Sequence, residues 1–152
     1  MAKTIREQII KEIATALGAI KISSGYHSDI GLKVFRGLKK IDFVKDMPCV
    51  VVTAGQESVS KREFKKVFCA MPIEIEAIEG VNELIDAAET AEDLLGDMLK
   101  VLTVKDLSAL AESVTYTRGG ASGMPDPGER TVACQVTLTV NYSFLSGDPY
   151  HQ

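Results

Sequence analysis

Three cysteines, Cys49, Cys69 and Cys134, and two histidines, His27 and His151, are the residues with which this sequence could attack a substrate or hold a metal. A nucleophilic enzyme needs an activated Ser or Cys, a base within hydrogen-bond reach and a group that orients the base. His27 falls in a polar, turn-prone stretch and His151 is the penultimate residue, so neither is placed to serve as that base. Cys69 and Cys134 follow the apolar phase of alternating runs and Cys49 begins an apolar run, the pattern of small buried hydrophobes. The sequence has no C-x-x-C, no H-E-x-x-H and no other closely spaced Cys/His set, and no metal or other cofactor is expected. Gly119, Gly120 and Gly123 lack the Lys and Ser/Thr of a phosphate-binding loop. Glu74 and Glu76 share one face of a strand pattern, and paired carboxylates can divide acid and base roles when their surroundings split their pKa values. Their alternation with Ile73 and Ile75 reads instead as a solvated strand face. Chemistry of this kind is therefore not expected, and the chain is predicted not to be an enzyme.

Charge placement says more. Through Lys66 the chain carries 13 basic and 7 acidic residues, and from Val67 onward 4 basic and 14 acidic, so a net charge of -4 conceals a basic first part and an acidic second part. Lys61, Arg62, Lys65 and Lys66 form the tightest basic group, and Lys33, Arg36, Lys39, Lys40 and Lys45 a second. Glu83, Asp86, Glu89, Glu92, Asp93 and Asp97 recur through one predicted helix. Placed on different surfaces, such groups would let copies meet head to tail, and a rotation repeated between copies closes a ring. Lys61, Arg62, Lys65, Lys66, Glu89, Glu92, Arg118 and Arg130 are the candidate interface residues; balancing of the same charges within one chain is the competing expectation.

With 152 residues, 45% of them apolar and 25% charged, the chain fits one soluble domain, residues 1–152. An acidic balance and sequence pI near 5.2 disfavour a dedicated nucleic-acid binder. The phenylalanines that accompany the lysines, Phe35, Phe43, Phe64 and Phe68, are in a phase that predicts core rather than base stacking. No apolar run approaches a membrane span, charges throughout the first 17 residues argue against a signal peptide, and the odd cysteine count suits a reducing compartment.

The elements that must position these residues follow from periodicity. Ile5, Ile9, Ile13 and Leu17 predict an amphipathic first helix ending near Gly18. Leu32, Val34 and Phe35 predict a short strand, and Cys49, Val50, Val51 and Val52 one buried on both faces. Phe64 to Ala77 reads as a long half-buried strand with Val67, Cys69, Met71, Ile73, Ile75 and Ala77 inward, and Pro72 demands an edge or a bulge. Asn82 is the expected N-cap of a second helix with Leu84, Ile85, Ala88, Ala91, Leu95, Met98, Leu99 and Leu102 apolar; Gly96 within it suggests a close backbone approach. Thr131 to Phe144 alternates as a strand whose partner is Ser113 to Thr117. Residues 55–63 and 118–130 are expected to be mobile loops. The fold class is α+β, with two main helices packed on a largely antiparallel sheet of about four to five strands.

This order of elements resembles the tail terminator, or tail completion, proteins of long-tailed bacteriophages. The carrying segments are Asp46-Met47-Pro48-Cys49-Val50-Val51-Val52, the turn Gly55-Gln56-Glu57, the strand ending Met71-Pro72-Ile73-Glu74-Ile75-Glu76, and the alternation from Val136 to Phe144. The resemblance implies a structural virion protein, assembled in the bacterial host cytoplasm and located in the tail. It would form a ring, a hexamer, that ends tail-tube growth and offers a surface to the head. Its implied partners are further copies of itself, the tail-tube protein and head connector proteins, with no membrane and no specific nucleic acid. The alternatives are a head-closure or other neck protein of the virion, and a small α+β ligand-binding domain or enzyme.

Overall fold

The computed structural model describes residues 1–37, 40–42, 45–82, 86–107, 109–123 and 129–152. Helix α1 covers Ile5–Leu17, where Thr4 caps the start by accepting the Glu7 N–H at 3.1 Å and Ile5, Ile9, Ile10, Ile13 and Leu17 are buried. Two single turns, Ile22–Ser24 and Ile30–Leu32, lead into strand β1, Val34–Arg36. Leu32, expected in that strand, belongs to the second turn and is exposed. Then come β2 (Cys49–Ala54), β3 (Ser58–Glu63), β4 (Lys66–Gly80), α2 (Ala87–Val104), β5 (Ser113–Gly123) and β6 (Thr131–Leu145).

The strands form one sheet of six, in the order β1-β2-β4-β6-β5 with β3 paired to β4, and every pairing is antiparallel except β1 with β2. The expected α+β class holds, with a sheet larger by the strand β3. That strand occupies most of the stretch expected as a loop at 55–63. It forms because β2 pairs with β4 only from Ile73 to Ile78, which leaves Lys66 to Ala70 with free ladder groups for the returning chain. The expected loop at 118–130 is corrected in the same way. Arg118 to Gly123 continues β5 along β6, from Thr137 down to Ala133, with bulges on either side that its glycines accommodate. Residues 124–128 of that loop lie outside the described residues.

One sheet face carries the core. The odd residues of β4 from Val67 to Ala77 and the even residues of β6 from Val132 to Tyr142 are all buried there, against α1 and α2. Their alternation is strict because one face is apolar and a slip of one residue would expose all of it. Pro72 sits inside the long strand, opposite Thr139 of β6, yet no bulge is needed. Its carbonyl accepts the Gly55 N–H at 2.8 Å, so this residue's ladder groups point toward the corner where the chain leaves β2 for β3, and the missing N–H faces a gap.

Helix α2 begins five residues after the expected cap: Asp86 holds the N-cap position, and Leu84 and Ile85 lie outside the described residues. Its buried apolar stripe is Ala87, Ala91, Leu94, Met98, Val101 and Leu102; Ala91, Met98 and Leu102 are where expected, whereas Ala88 is exposed and Leu95 and Leu99 are only partly covered. Nothing approaches Gly96, whose added Cβ would meet no atom within 4 Å. Gly31 is the glycine that close approach requires, since a Cβ there would lie 2.5 Å from the Ile20 carbonyl oxygen and 2.6 Å from that of Leu17.

Candidate functional site

Cys69, Cys134 and the two histidines each sit against identifiable neighbours. Cys69 is buried under the sheet, where burial above all, and then the Glu57 carboxylate, push its thiol up. Glu57 is in turn bound: Arg6 of α1 donates to it at 3.2 Å and to the Gly55 carbonyl at 2.8 Å, and the buried Tyr142 hydroxyl donates to it as well. This cluster ties the base of β3 to α1 and β6. Burial pushes the Cys134 thiol up to about 11, with Glu92 adding in the same direction against hydrogen bonds from the backbone of Gly120 and Gln135. A thiol in either place is protonated at neutral pH and a poor nucleophile.

His27 lies against Asp97, and His151 against Asp148 at 2.6 Å. Asp97 itself, one of the acids that recur through the predicted second helix, is buried in the middle of α2. There it accepts the His27 backbone N–H at 3.0 Å and both the backbone N–H and hydroxyl of Ser28. It is a clasp for the loop before β1. Glu74 is exposed on the helix-free sheet face and Glu76 is half-buried beside it, its carboxyl held above the ordinary range by burial and then by Glu74. Among the described residues no group of three or more His, Cys, Asp and Glu could hold a metal ion, and no helix is long and apolar enough to cross a membrane.

Six of the eight predicted interface residues fall into two separated sets. Lys61 and Arg62 lie on β3, Lys65 in the turn and Lys66 at the start of β4, so all four crowd the tip of one hairpin. Lys61 pairs with Glu63 at 3.3 Å and stands 4.6 Å over the Phe68 ring; Arg62, Lys65 and Lys66 form no ion pair among the described residues. Glu89 and Glu92 are exposed on the first half of α2. Arg118 joins neither set, being on β5 with its guanidinium 4.0 Å from Glu74 and donating to the Thr137 hydroxyl. Arg130 precedes β6, and its carbonyl accepts the Val81 N–H at 2.8 Å.

The sheet register measures the gap between the two sets. Lys66 of β4 lies opposite Leu145 and Ala77 opposite Cys134, about 36 Å of extended strand apart, and the start of α2 lies toward the second end, where Leu95 reaches Gly119 of β5. That length of strand is several times the screening length of about 8 Å in physiological salt. The ion pairs Arg36 with Glu7 at 2.7 Å and Lys105 with Glu12 at 2.7 Å do not join a cation of the first part to an acid of the second, and so leave the bipolar pattern as it is. The hairpin tip and the start of α2 are not balanced by one another.

Phe64 belongs to this site and was misassigned to the core. It sits at the hairpin turn, fully exposed, with a left-handed φ of 52°. Its even number was the available signal, since every buried residue in the first part of β4 is odd. Phe68 and Phe35 are half-buried, and Phe43 lies outside the described residues.

Neither a protein-family model nor a curated protein matches this sequence.

Proposed function

We propose that this chain is a structural subunit that assembles with copies of itself, and specifically a tail terminator of a long-tailed bacteriophage, whose hexameric ring ends tail-tube growth and receives the head. The observation that carries the reading is a basic hairpin tip at the Lys66 end of β4 and an acidic start of α2 toward its other end, with no ion pair between them among the described residues. Surfaces that differ and complement one another make heterologous contacts, and these close into rings when the rotation allows. The absence of an activated thiol at Cys69 or Cys134 agrees with a role that needs no chemistry. Partners beyond the ring are the tail-tube protein on one side and head connector proteins on the other, and the place of action is the virion tail.

Light scattering across concentration, with negative-stain microscopy, tests the assembly: six copies in a closed ring are expected, and a monomer or two-fold dimer at every concentration overturns it. Deleting the gene in the producing phage tests the role. Overgrown tails that fail to join heads are expected, and tails of normal length joined to heads overturn it.

A further inference from the structure

Phe64 stands between β3 and β4 in a backbone conformation that a glycine adopts freely and a bulky side chain does not. Among the described residues nothing covers the ring. With Phe68 and Leu145 it forms an apolar patch lined also by Glu63, Lys65 and Lys66; Lys61, over the Phe68 ring, is paired with Glu63, so Arg62, Lys65 and Lys66 leave the tip basic. An exposed aromatic residue beside a surplus of cations, on a hairpin whose base is fastened by Arg6, Glu57 and Tyr142, has the composition of an interface anchor.

The same molecule carries a surface of the opposite character. Between α2 and the edge strand β5 runs a groove of about 250 Å³, floored by Leu99, Leu102, Val114, Tyr116 and Leu138. Val114 and Tyr116 are exposed there. Leu99 continues toward the helix start through Leu95 to Glu92, residues three and four apart that share one side of α2, so the apolar groove leads into the acidic segment. Lys105, at the other end, is already paired with Glu12.

We infer that Phe64 of one copy seats in the α2–β5 groove of a second copy, with the hairpin cations facing Glu89 and Glu92. This rests on the self-association proposed above and names its contact. The second copy is the occupant because apolar floor and acidic flank complement an apolar tip and basic flank, while within one chain no ion pair joins the hairpin tip to the start of α2 among the described residues. The contact is head to tail, so each copy uses its hairpin on one neighbour and offers its groove to the other.

A photoreactive benzoyl-phenylalanine at position 64, in a mixture of isotope-labelled and unlabelled copies, reads the contact directly. Crosslinks between different copies onto residues 92–103 or 113–118 are expected. Phe64→Asp and, in the groove, Tyr116→Lys should each weaken association at least about tenfold with an unchanged thermal midpoint, and Phe64→Trp should retain it. Crosslinks elsewhere on a second copy, in a protein that still assembles, overturn this contact and leave self-association standing. A monomer with no crosslink at any concentration overturns both. If Phe64→Asp assembles normally but loses binding to a fluorescent oligothymidine or to phosphatidylserine vesicles, the tip serves a nucleic acid or a membrane and the inference fails.

Discussion

Ser28 is joined twice to Asp97, its backbone N–H donating at 2.9 Å and its hydroxyl at 2.7 Å to the same carboxylate oxygen, across 69 residues of sequence. The His27 N–H donates to that carboxylate too, so the buried carboxylate accepts from three donors at once. Replacing Asp97 with Ala leaves those donors unpaired, and a loss on the order of 3 kcal/mol in denaturant unfolding is expected. Asp97→Asn, which keeps the shape and one acceptor oxygen, should lose less. Equal stability of the Ala variant and the parent would mean that the loop does not depend on this clasp.

Two glycines predict opposite signs. A Cβ at Gly31 would press on backbone oxygens of Ile20 and Leu17, atoms that move only if the end of α1 moves, so Gly31→Ala should destabilise by roughly 1–3 kcal/mol. Gly96 is exposed in mid-helix with open space around it, and Gly96→Ala should stabilise by up to about 1 kcal/mol. Thermal unfolding of the two variants side by side checks both directions.

How far such positions could be read from sequence depends on whether burial alternates with position. Ile5 to Leu17, Val67 to Ala77 and Val132 to Tyr142 each have one apolar side, and their periods gave α1, β4 and β6 nearly to the residue. β3 has no buried residue at all, so Ser58–Glu63 left no period, and its existence follows only from the ladder groups that β4 leaves open beyond β2. Arg118 to Gly123 was hidden for a related reason, since glycines that signal a turn also serve a bulged edge strand. Asp97 could not be told from the other acids of its helix because its donors come from a loop 69 residues away. The basic group was legible as a cluster; that it sits on a hairpin tip around Phe64 was not, because the turn had been placed inside the strand.

The thiol of Cys134 is expected to be inert. With burial holding it near 11, only a trace is thiolate at pH 8, and its side chain has no exposed surface. Iodoacetamide should label it in denaturant and not in the native protein. Cys134→Ala should act through packing alone, reducing stability by about 1–2 kcal/mol while leaving assembly intact. Rapid native labelling, or a stable variant that no longer assembles, would contradict this.

Glu79 predicts a pH dependence. Burial first, then the carboxylates of Asp29, Asp97 and Asp93, raise its pKa above the ordinary 4.5. The folded chain therefore keeps this proton to higher pH than the unfolded chain does, and stability falls as pH rises from 4.5 through the folded-state value. Glu79→Gln removes the penalty: the variant should be more stable than the parent at pH 7, with the difference shrinking as pH is lowered toward 4. A difference that is constant with pH would exclude a titration at Glu79 as its origin.

Charge reversal tests the assembly itself. Lys65→Glu with Lys66→Glu places two acids at the hairpin tip, where no partner in the same chain depends on the lost cations among the described residues, so folding should be little changed. Association should weaken, because each copy would present acids to the acidic start of α2 on its neighbour. An exposed pair contributes only about 0–1 kcal/mol, but a closed ring repeats every contact around its axis and multiplies a small loss. Added salt should weaken the parent's assembly for the same reason, since screening acts on these exposed charges. Combining the reversal with Glu89→Lys and Glu92→Lys restores complementarity with the signs exchanged, and sedimentation of the fourfold variant should recover the parent's mass. If the Lys65→Glu, Lys66→Glu protein sediments like the parent in low salt, the contact does not use the hairpin cations, and the two charged ends of the sheet serve something other than each other.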